Sequence, residues 1–566
     1  MTSAAASPSF VSGASSQPLL YLTVDQVLRN AATEHPERLA IVSAEQGQRF
    51  TFAGFDAEVE ACARGFVALG LEPGSRIGIG APNRSEWVLT MFAAARAGLV
   101  LVNINPAYRS SELAFALRLG GCRAVVFAPS FKGADYYALL SEAIPGLADE
   151  PRGALTLKDF PELKVLITLG ETAPPGCLTF GEARAAGASL APGSLAAIAA
   201  TLDPDQAFNI QFTSGTTGTP KGATLSHFNI VNNGYFVGEC LKLTSEDRLC
   251  IPVPLYHCFG MVLGVLAAMT HGAASIFPGE GFEPLALLAT VAAERCTILH
   301  GVPTMFIASL EHPRFAEFDL TSLRSGIMAG APCPIAVMRR VIGEMHMREV
   351  TICYGMTETS PVSFQSLTGD PLERRVSTVG RIHPHVQVKI VDADGRVTPR
   401  GVAGELLPRG YSVMQGYWNE PERTREAIDA AGWMHTGDLA VLDEDGYCNI
   451  VGRVKDLIIR GGENISPREI EEFLFEHPAV LDVAVVGVPD AKYGEAVCAC
   501  IRLKSGASAT EAEIQGYCKG RIAHYKVPRH VRFVDGFPLT VTGKVQKFRI
   551  REQLRAELNL SEEQHA

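Results

Sequence analysis

Three glycines, five hydroxyls and one lysine fall in one short run, Phe212-Thr213-Ser214-Gly215-Thr216-Thr217-Gly218-Thr219-Pro220-Lys221-Gly222. Glycine lets the backbone take positive φ and approach a ligand closely. The hydroxyls and exposed N–H groups can donate to phosphate oxygens, and Lys221 adds a point charge. The chemistry is that of a polyphosphate cradle. It is not the common P-loop, because Thr219-Pro220 separates Gly218 from Lys221 and a glycine follows the lysine. Gly, Ser and Thr also make ordinary surface loops, so the neighbouring sequence decides the reading. Here the apolar run 208–212 leads directly into the loop and reads as a strand.

The same texture continues along the chain. Runs at 123–127, 164–169, 249–253, 274–277, 297–300, 325–328 and 351–353 read as further strands, with amphipathic stretches 284–295 and 335–345 between them. This rhythm predicts α/β layers with largely buried parallel strands. After about residue 380 the pattern becomes turn-rich β, with strands expected at 386–391 and 404–407 and Asp-Gly turns at 392–395 and 443–446. A smaller unit begins near 455, with helices expected at 467–476 and 510–522 and strands at 480–488, 497–503 and 531–534. At 566 residues, 47% hydrophobic and 20% charged, the chain exceeds what one core serves and is not a disordered sequence. The expected fold class is therefore α/β: a large N-terminal domain of αβ layers plus a β-rich subdomain, then a small α+β C-terminal domain. The expected boundaries are a disordered tail at 1–22, the large domain at 23–452, a charged joint at 453–458 and the small domain at 459–566.

A net charge of −11 argues against a general nucleic-acid binder, so any nucleotide should meet a local site. The 13 cysteines are scattered without CxxC or metal-ligand spacing, as in reduced, buried thiols of a cytoplasmic protein. Residues 1–17 contain no Arg or Lys and so lack a secretory n-region or an Arg-rich transit pattern. The most apolar windows, 87–104 and 261–277, are broken by Arg96 and His271 and read as buried elements; no transmembrane segment is expected.

Later segments add parts to the cradle. Tyr354-Gly355-Met356-Thr357-Glu358 ends an apolar strand with an aromatic to stack a base, a glycine to leave space and a carboxylate able to hold Mg²⁺. Residues 432–439 place Asp438 after a glycine, where it could accept from both ribose hydroxyls. Charged runs at 452–456 and 460–464 mark the joint, and Thr540-Val541-Thr542-Gly543-Lys544 sets one lysine on a glycine-bearing turn. Taken singly, each has an ordinary structural explanation: a core tyrosine, an Asp in a turn, a solvated linker, a surface lysine.

Taken in order, they resemble the acyl-adenylate-forming superfamily of acyl-CoA synthetases, adenylation domains and luciferases, over nearly the whole chain from Thr23 to Leu560. The run from Tyr354 to Pro361, the segment Gly410-Tyr411-Ser412-Val413-Met414-Gln415-Gly416-Tyr417-Trp418, and the end from His524 to Lys547 are most similar to fatty-acyl-CoA ligases of medium-chain type. The resemblance implies that Thr213, Ser214, Gly215, Thr216, Thr217, Gly218 and Lys221 form a mobile lid on the β- and γ-phosphates of ATP. It implies that Gly330, Ala331 and Pro332 line the adenine, with Tyr354 stacked on it and Gly355 and Met356 adjoining. Thr357 would sit near the α-phosphate, Glu358 would ligate Mg²⁺, and Asp438 and Arg453 would hold the ribose. Lys544, carried by a mobile small domain, would bridge the substrate carboxylate and the α-phosphate, making it the catalytic residue together with Glu358 and Thr213. Lys455 would be the hinge, and Arg460, Gly461 and Gly462 would face the pantetheine of coenzyme A. His257 would stand beside the acyl carboxylate as a packing or gating group, and Gly260, Met261, Gly301, Val302, Gly355 and Met356 would line the acyl pocket. Gly355 occupies the position where acetate-specific relatives carry tryptophan, which implies a floor open to longer chains. The implied activity is AMP-forming acid–thiol ligation from ATP, Mg²⁺ and coenzyme A. Alternatives are transfer to a carrier-protein phosphopantetheine, a luciferase-like monooxygenase and a non-catalytic acyl-adenylate-binding protein; retention of Lys221, Glu358, Asp438 and Lys544 together counts against the last. Chain length, oligomeric state and pathway stay open.

Overall fold

Parallel strands need crossover connections, and amphipathic helices supply them here. The computed structural model describes residues 7–213, 220–331, 333–453, 456–460, 463–490, 492–540 and 545–557. Among these, two large sheets carry the N-terminal part. The first has eight strands in the order Cys177–Thr179, Val165–Thr168, Cys122–Phe127, Arg76–Gly80, Val100–Asn103, Ala207–Thr213, Lys221–Ser226 and Gly416–Tyr417. It is parallel as far as Ala207–Thr213, after which the last two strands run antiparallel. The second has nine, from Arg381–Ile382 through Val362–Gln365, Glu349–Gly355, Ser325–Met328, Ile298–Gly301, Arg248–Cys250, Ala274–Phe277 and Leu39–Ser43 to Gln48–Thr51. Its centre is parallel and its edges antiparallel.

One apolar core joins the two sheets through the helices between them. Phe55 and Phe66 of helix Phe52–Ala68, Trp87 and Phe92 of helix Ser85–Arg96, and Val237 of helix His227–Leu241 pack with Ile77 and Leu101 of the first sheet and Ile41 and Leu249 of the second. Arg96 is 1% exposed within this core and is satisfied from three sides: Nε contacts Asp25 Oδ1 at 2.6 Å, Nη1 donates to Asp56 O at 3.0 Å, and Glu60 lies at 3.3 Å. The window 87–104 is thus a buried helix and strand, and 261–277 likewise; among the described residues no helix is long and apolar enough to cross a membrane.

The turn-rich region forms a separate five-stranded antiparallel sheet, Phe10–Ser12, Val386–Val391, Gly404–Gly410, Asp438–Leu442 and Cys448–Arg453. Its first strand corrects the expected disordered tail 1–22 over residues 7–22, residues 1–6 lying outside the described ones. Phe10 to Ser12 pair with Lys389 to Gln387, Ser9 is fully buried and donates to Pro399 O, and Leu20 N donates to Asn232 Oδ1 at 2.7 Å. The Ala/Ser composition hid one short strand that finds its partner far along the chain.

In the C-terminal part, Val480–Asp490 and Gly494–Leu503 form a hairpin extended by Ile458–Arg460, Glu463–Ile465 and His530–Phe533. The strand alternation covers both faces. Val483, Val485, Val497 and Ala499 meet Ile470, Leu474 and Ile514, while Ala484, Val486, Cys498 and Cys500 meet Ile550 and Leu554 of helix Lys547–Glu557. The helix expected at 510–522 stops at Cys518, because Lys519 is extended and Gly520 has φ 75°.

Candidate active site

In open parallel sheets, ligands bind outside the carboxyl ends of the strands. The candidate residues of both large sheets collect at such ends. Thr213 closes strand Ala207–Thr213 and is the register partner of Lys221, so the strands on either side of the glycine-rich segment pair antiparallel. Ser214, Gly215, Thr216, Thr217 and Gly218 lie outside the described residues, as do Pro332, Lys455, Gly461, Gly462 and Lys544.

Glu358 follows strand Glu349–Gly355 and is 6% exposed. Its Oε1 accepts from Thr213 Oγ1 at 3.2 Å and from Tyr417 OH at 3.0 Å, and its carbonyl accepts from Met414 N at 2.9 Å. Burial, with Glu358 beside it, pushes the Tyr417 phenol well above its usual range, so it remains a donor. Lys221 Nζ lies 4.9 Å from the Tyr417 ring centroid. Lys221, Thr213 and Glu358, drawn from two segments far apart in sequence, are therefore one cluster with Tyr417.

The second cluster centres on Asp438, 4% exposed, which opens strand Asp438–Leu442 opposite Arg453. Asp438 Oδ2 accepts from Tyr354 OH at 2.6 Å, and Oδ1 pairs with Arg453 Nε at 2.8 Å. Burial and then the adjacent carboxylate hold the Tyr354 phenol well above its usual range. The sequence suggested Asp438 as an acceptor for both ribose hydroxyls; here both oxygens already have a protein donor. A carboxylate has about four lone-pair sites, so each oxygen retains one for a hydroxyl. Gly330, with φ 86°, and the half-buried Ala331 lie past the end of Ser325–Met328, the strand next to that of Tyr354.

His257 precedes a π-helical turn, Phe259–Leu266, and its Nδ1 accepts from Phe259 N at 3.1 Å. That bond engages the Nδ1 lone pair. Neighbouring Cys258 Sγ lies 3.7 Å from Thr357 Oγ1. The loop carrying them is clamped by buried amides: Asn83 Nδ2 donates to Val253 O at 2.9 Å and its Oδ1 accepts from Leu255 N at 2.8 Å. Asn103 Nδ2 donates to Tyr256 O and Asn209 Nδ2 to Asn103 Oδ1, at 2.9 and 3.0 Å. Sequence reasoning missed these residues and assigned no role to Tyr417. The signal for the asparagines was a polar residue inside an otherwise apolar run, as in Val100-Leu101-Val102-Asn103.

The acyl residues are less open than expected. Gly260, Met261, Gly301 and Val302 are all buried, and a Cβ on Gly260 would meet Pro254 O at 2.4 Å. A cavity of about 510 Å³ opens beside Arg409, Val413, Met414, Thr424 and Ile428, and none of the expected acyl residues lines it. Gly355 is exposed, but a Cβ there would lie 1.7 Å from Pro361 O. Close backbone approach thus requires this glycine, independently of any open pocket floor. Gly355→Ala is expected to cost about 1–3 kcal/mol or more through forced backbone movement and to lower turnover of acetate and octanoate alike. Thermal unfolding and the ratio of the two rates check this; an unchanged melting temperature with a shifted ratio would restore the pocket explanation.

The profile of the AMP-binding enzyme family matches residues 28–418, and that of the AMP-binding enzyme C-terminal domain matches 469–544. The chain belongs to the AMP-binding enzyme family. It is 48% identical over 555 residues to the medium-chain acyl-CoA ligase ACSF2, mitochondrial, of Danio rerio, covering 98% of this chain and 91% of that protein. Among solved structures, the anthranilate CoA ligase AuaEII in complex with anthranoyl-AMP superposes with a TM-score of 0.84 at 26% identity, over 96% of this chain and 99% of that one. ATP-bound MatB from Rhodopseudomonas palustris superposes at 0.80 with 30% identity, over 94% and 99%.

Proposed function

We propose that this member of the AMP-binding enzyme family is an AMP-forming acyl-CoA synthetase acting on medium-length or similar apolar carboxylic acids. The observation that carries the reading is the placement of two clusters at adjoining strand ends: Thr213, Lys221, Glu358 and Tyr417 suited to a triphosphate, and Tyr354, Asp438 and Arg453 suited to a nucleoside. In the first half-reaction a carboxylate oxygen attacks the α-phosphorus of ATP, forming acyl-AMP and releasing pyrophosphate. In the second, the thiolate of coenzyme A attacks the acyl carbonyl, and the C–O bond to AMP breaks. Lys544 neutralises two anionic groups that must meet, and preorganised charge at such a point lowers the barrier directly.

Among the described residues no group of three or more His, Cys, Asp or Glu could hold a metal by itself. A single buried carboxylate, Glu358, nevertheless suits Mg²⁺ that arrives on ATP, since this ion is commonly held by one or two carboxylates plus substrate phosphates. The cation would supply charge neutralisation at the phosphates; Glu358 would bind it and Thr213 would orient Glu358. Residues 23–452 form the nucleotide and acyl domain in this reading, and residues 459–566 turn about Lys455 between the halves, bringing Arg460, Gly461 and Gly462 towards pantetheine. All 13 cysteines are free, which supports a reducing compartment, the cytoplasm in our reading.

Each buried CH₂ is worth roughly 0.8 kcal/mol, about fourfold in affinity, so selectivity among aliphatic acids should be graded. The test is a panel from acetate to palmitate, with benzoate and phenylpropenoates, followed for pyrophosphate and AMP release with and without coenzyme A. Medium-chain acids are expected to give the fastest coenzyme A-dependent AMP release. Release independent of coenzyme A for every acid would overturn the ligase reading, and absence of pyrophosphate would overturn adenylation.

A further inference from the structure

We propose that Tyr417 is a positioning residue that fixes Glu358 for a cation carried on ATP, and that it ties this carboxylate to Lys221. The inference rests on the reading of Glu358 given above. Tyr417 is held independently of any ligand. Strand Gly416–Tyr417 adds to the edge of the eight-stranded sheet, with Tyr417 opposite Ala223 and Gly416 opposite Thr224. Trp418 N donates to Gly222 O at 2.7 Å and Tyr417 N to Thr424 Oγ1 at 2.9 Å, so the backbone on both sides of the ring is anchored. Gly416 has φ 144° and comes so close to Thr424 that a Cβ would meet its Cγ2 at 2.7 Å. The strand can run here because this position lacks a side chain.

From that fixed seat the hydroxyl donates to Glu358 Oε1, which also accepts from Thr213 Oγ1. Two donors on Oε1 orient the carboxylate, and Oε2 has no hydrogen-bond partner among the described residues. The cluster therefore discriminates between the two oxygens of one side chain: Oε1 is spent on orientation and Oε2 is left for a ligand. The ring performs a second task, since Lys221 Nζ lies over it; a cation on an aromatic face is held without neutralising its charge. Tyr417 so keeps a positive group for phosphate oxygens and a negative group for the cation side by side, while separating them enough that they do not pair.

The experiment compares wild type with Tyr417→Phe, which keeps the ring and removes the hydroxyl. Binding of α,β-methylene-ATP is measured by calorimetry with Mn²⁺ and again in EDTA, and bound Mn²⁺ is followed by electron paramagnetic resonance. The variant is expected to bind the Mn²⁺ complex about 10- to 100-fold more weakly, as for loss of a bond to a charged group, with little change in EDTA. In a Glu358→Gln background the same substitution should have little further effect, because its path to the cation is already broken. Equal weakening with and without Mn²⁺, no weakening, or fully additive losses in the double variant would each overturn the proposal. Wild type that binds the analogue equally well in Mn²⁺ and EDTA would overturn the cation role of Glu358 and the proposal with it.

Discussion

Lys544→Ala is expected to lose acyl-AMP formation by about 10²- to 10³-fold, the effect typical of removing one donor that acts on the transition state. The other half-reaction should survive. Supplied with presynthesised acyl-AMP and coenzyme A, the variant should form thioester near the wild-type rate, because a lysine needed only where carboxylate meets α-phosphate has no partner in the second step. Rapid-quench measurement of each half-reaction separates the two. Equal damage to both would mean that Lys544 serves one fixed site, and the alternation about Lys455 would fall with it. Lys455→Pro should show the opposite asymmetry, leaving pyrophosphate release nearer normal while slowing thioester formation, since proline restricts the backbone angles through which a joint turns.

Arg96→Met is expected to destabilise the N-terminal part by about 3–5 kcal/mol, the cost of leaving buried charge without its partner. Of the three carboxylate partners of Arg96, Asp25 is the buried one left behind; its side chain is 4% exposed and among the described residues keeps only the contact with Arg29 at 2.8 Å. The double variant Arg96→Met/Asp25→Leu should recover part of the loss, because it removes both charges. The protein's three tryptophans, Trp87, Trp418 and Trp433, all lie in the N-terminal part, so the urea midpoint of their fluorescence reports on this region. A midpoint unchanged in the single variant would show that the guanidinium is replaceable by packing alone.

The α/β class was legible because the strands are apolar runs of the right length: 274–277 and 325–328 coincide with the observed elements, and 386–391 does in the second texture. Strand Arg76–Gly80 escaped notice because two of its residues are glycine, and Lys221–Ser226 because its polar start reads as loop. The nucleotide residues were legible through their order along the chain and the family they resemble. Their mutual bonds were not. That Tyr354 donates to Asp438, 84 positions away, depends on how two different sheets meet, and no local pattern encodes such a meeting. The reason for Gly355 was likewise hidden, because the Pro361 carbonyl that excludes a side chain comes close only through the bulged antiparallel pairing of Gly355 with Val362.

Arg453 is the last residue of strand Cys448–Arg453, and residues 454 and 455 follow it directly. In any rotation the displacement of a point grows with its distance from the axis. If the small unit turns about Lys455 as proposed, an arginine paired in register with Asp438 and placed next to that pivot would hardly move. The nucleoside would then be gripped by the stationary side of a turning joint, so that acyl-AMP need not be released and rebound between the two chemical steps. Changes to Arg453 should therefore alter how long the intermediate stays on the enzyme, measurable as acyl-AMP escaping into solution during turnover.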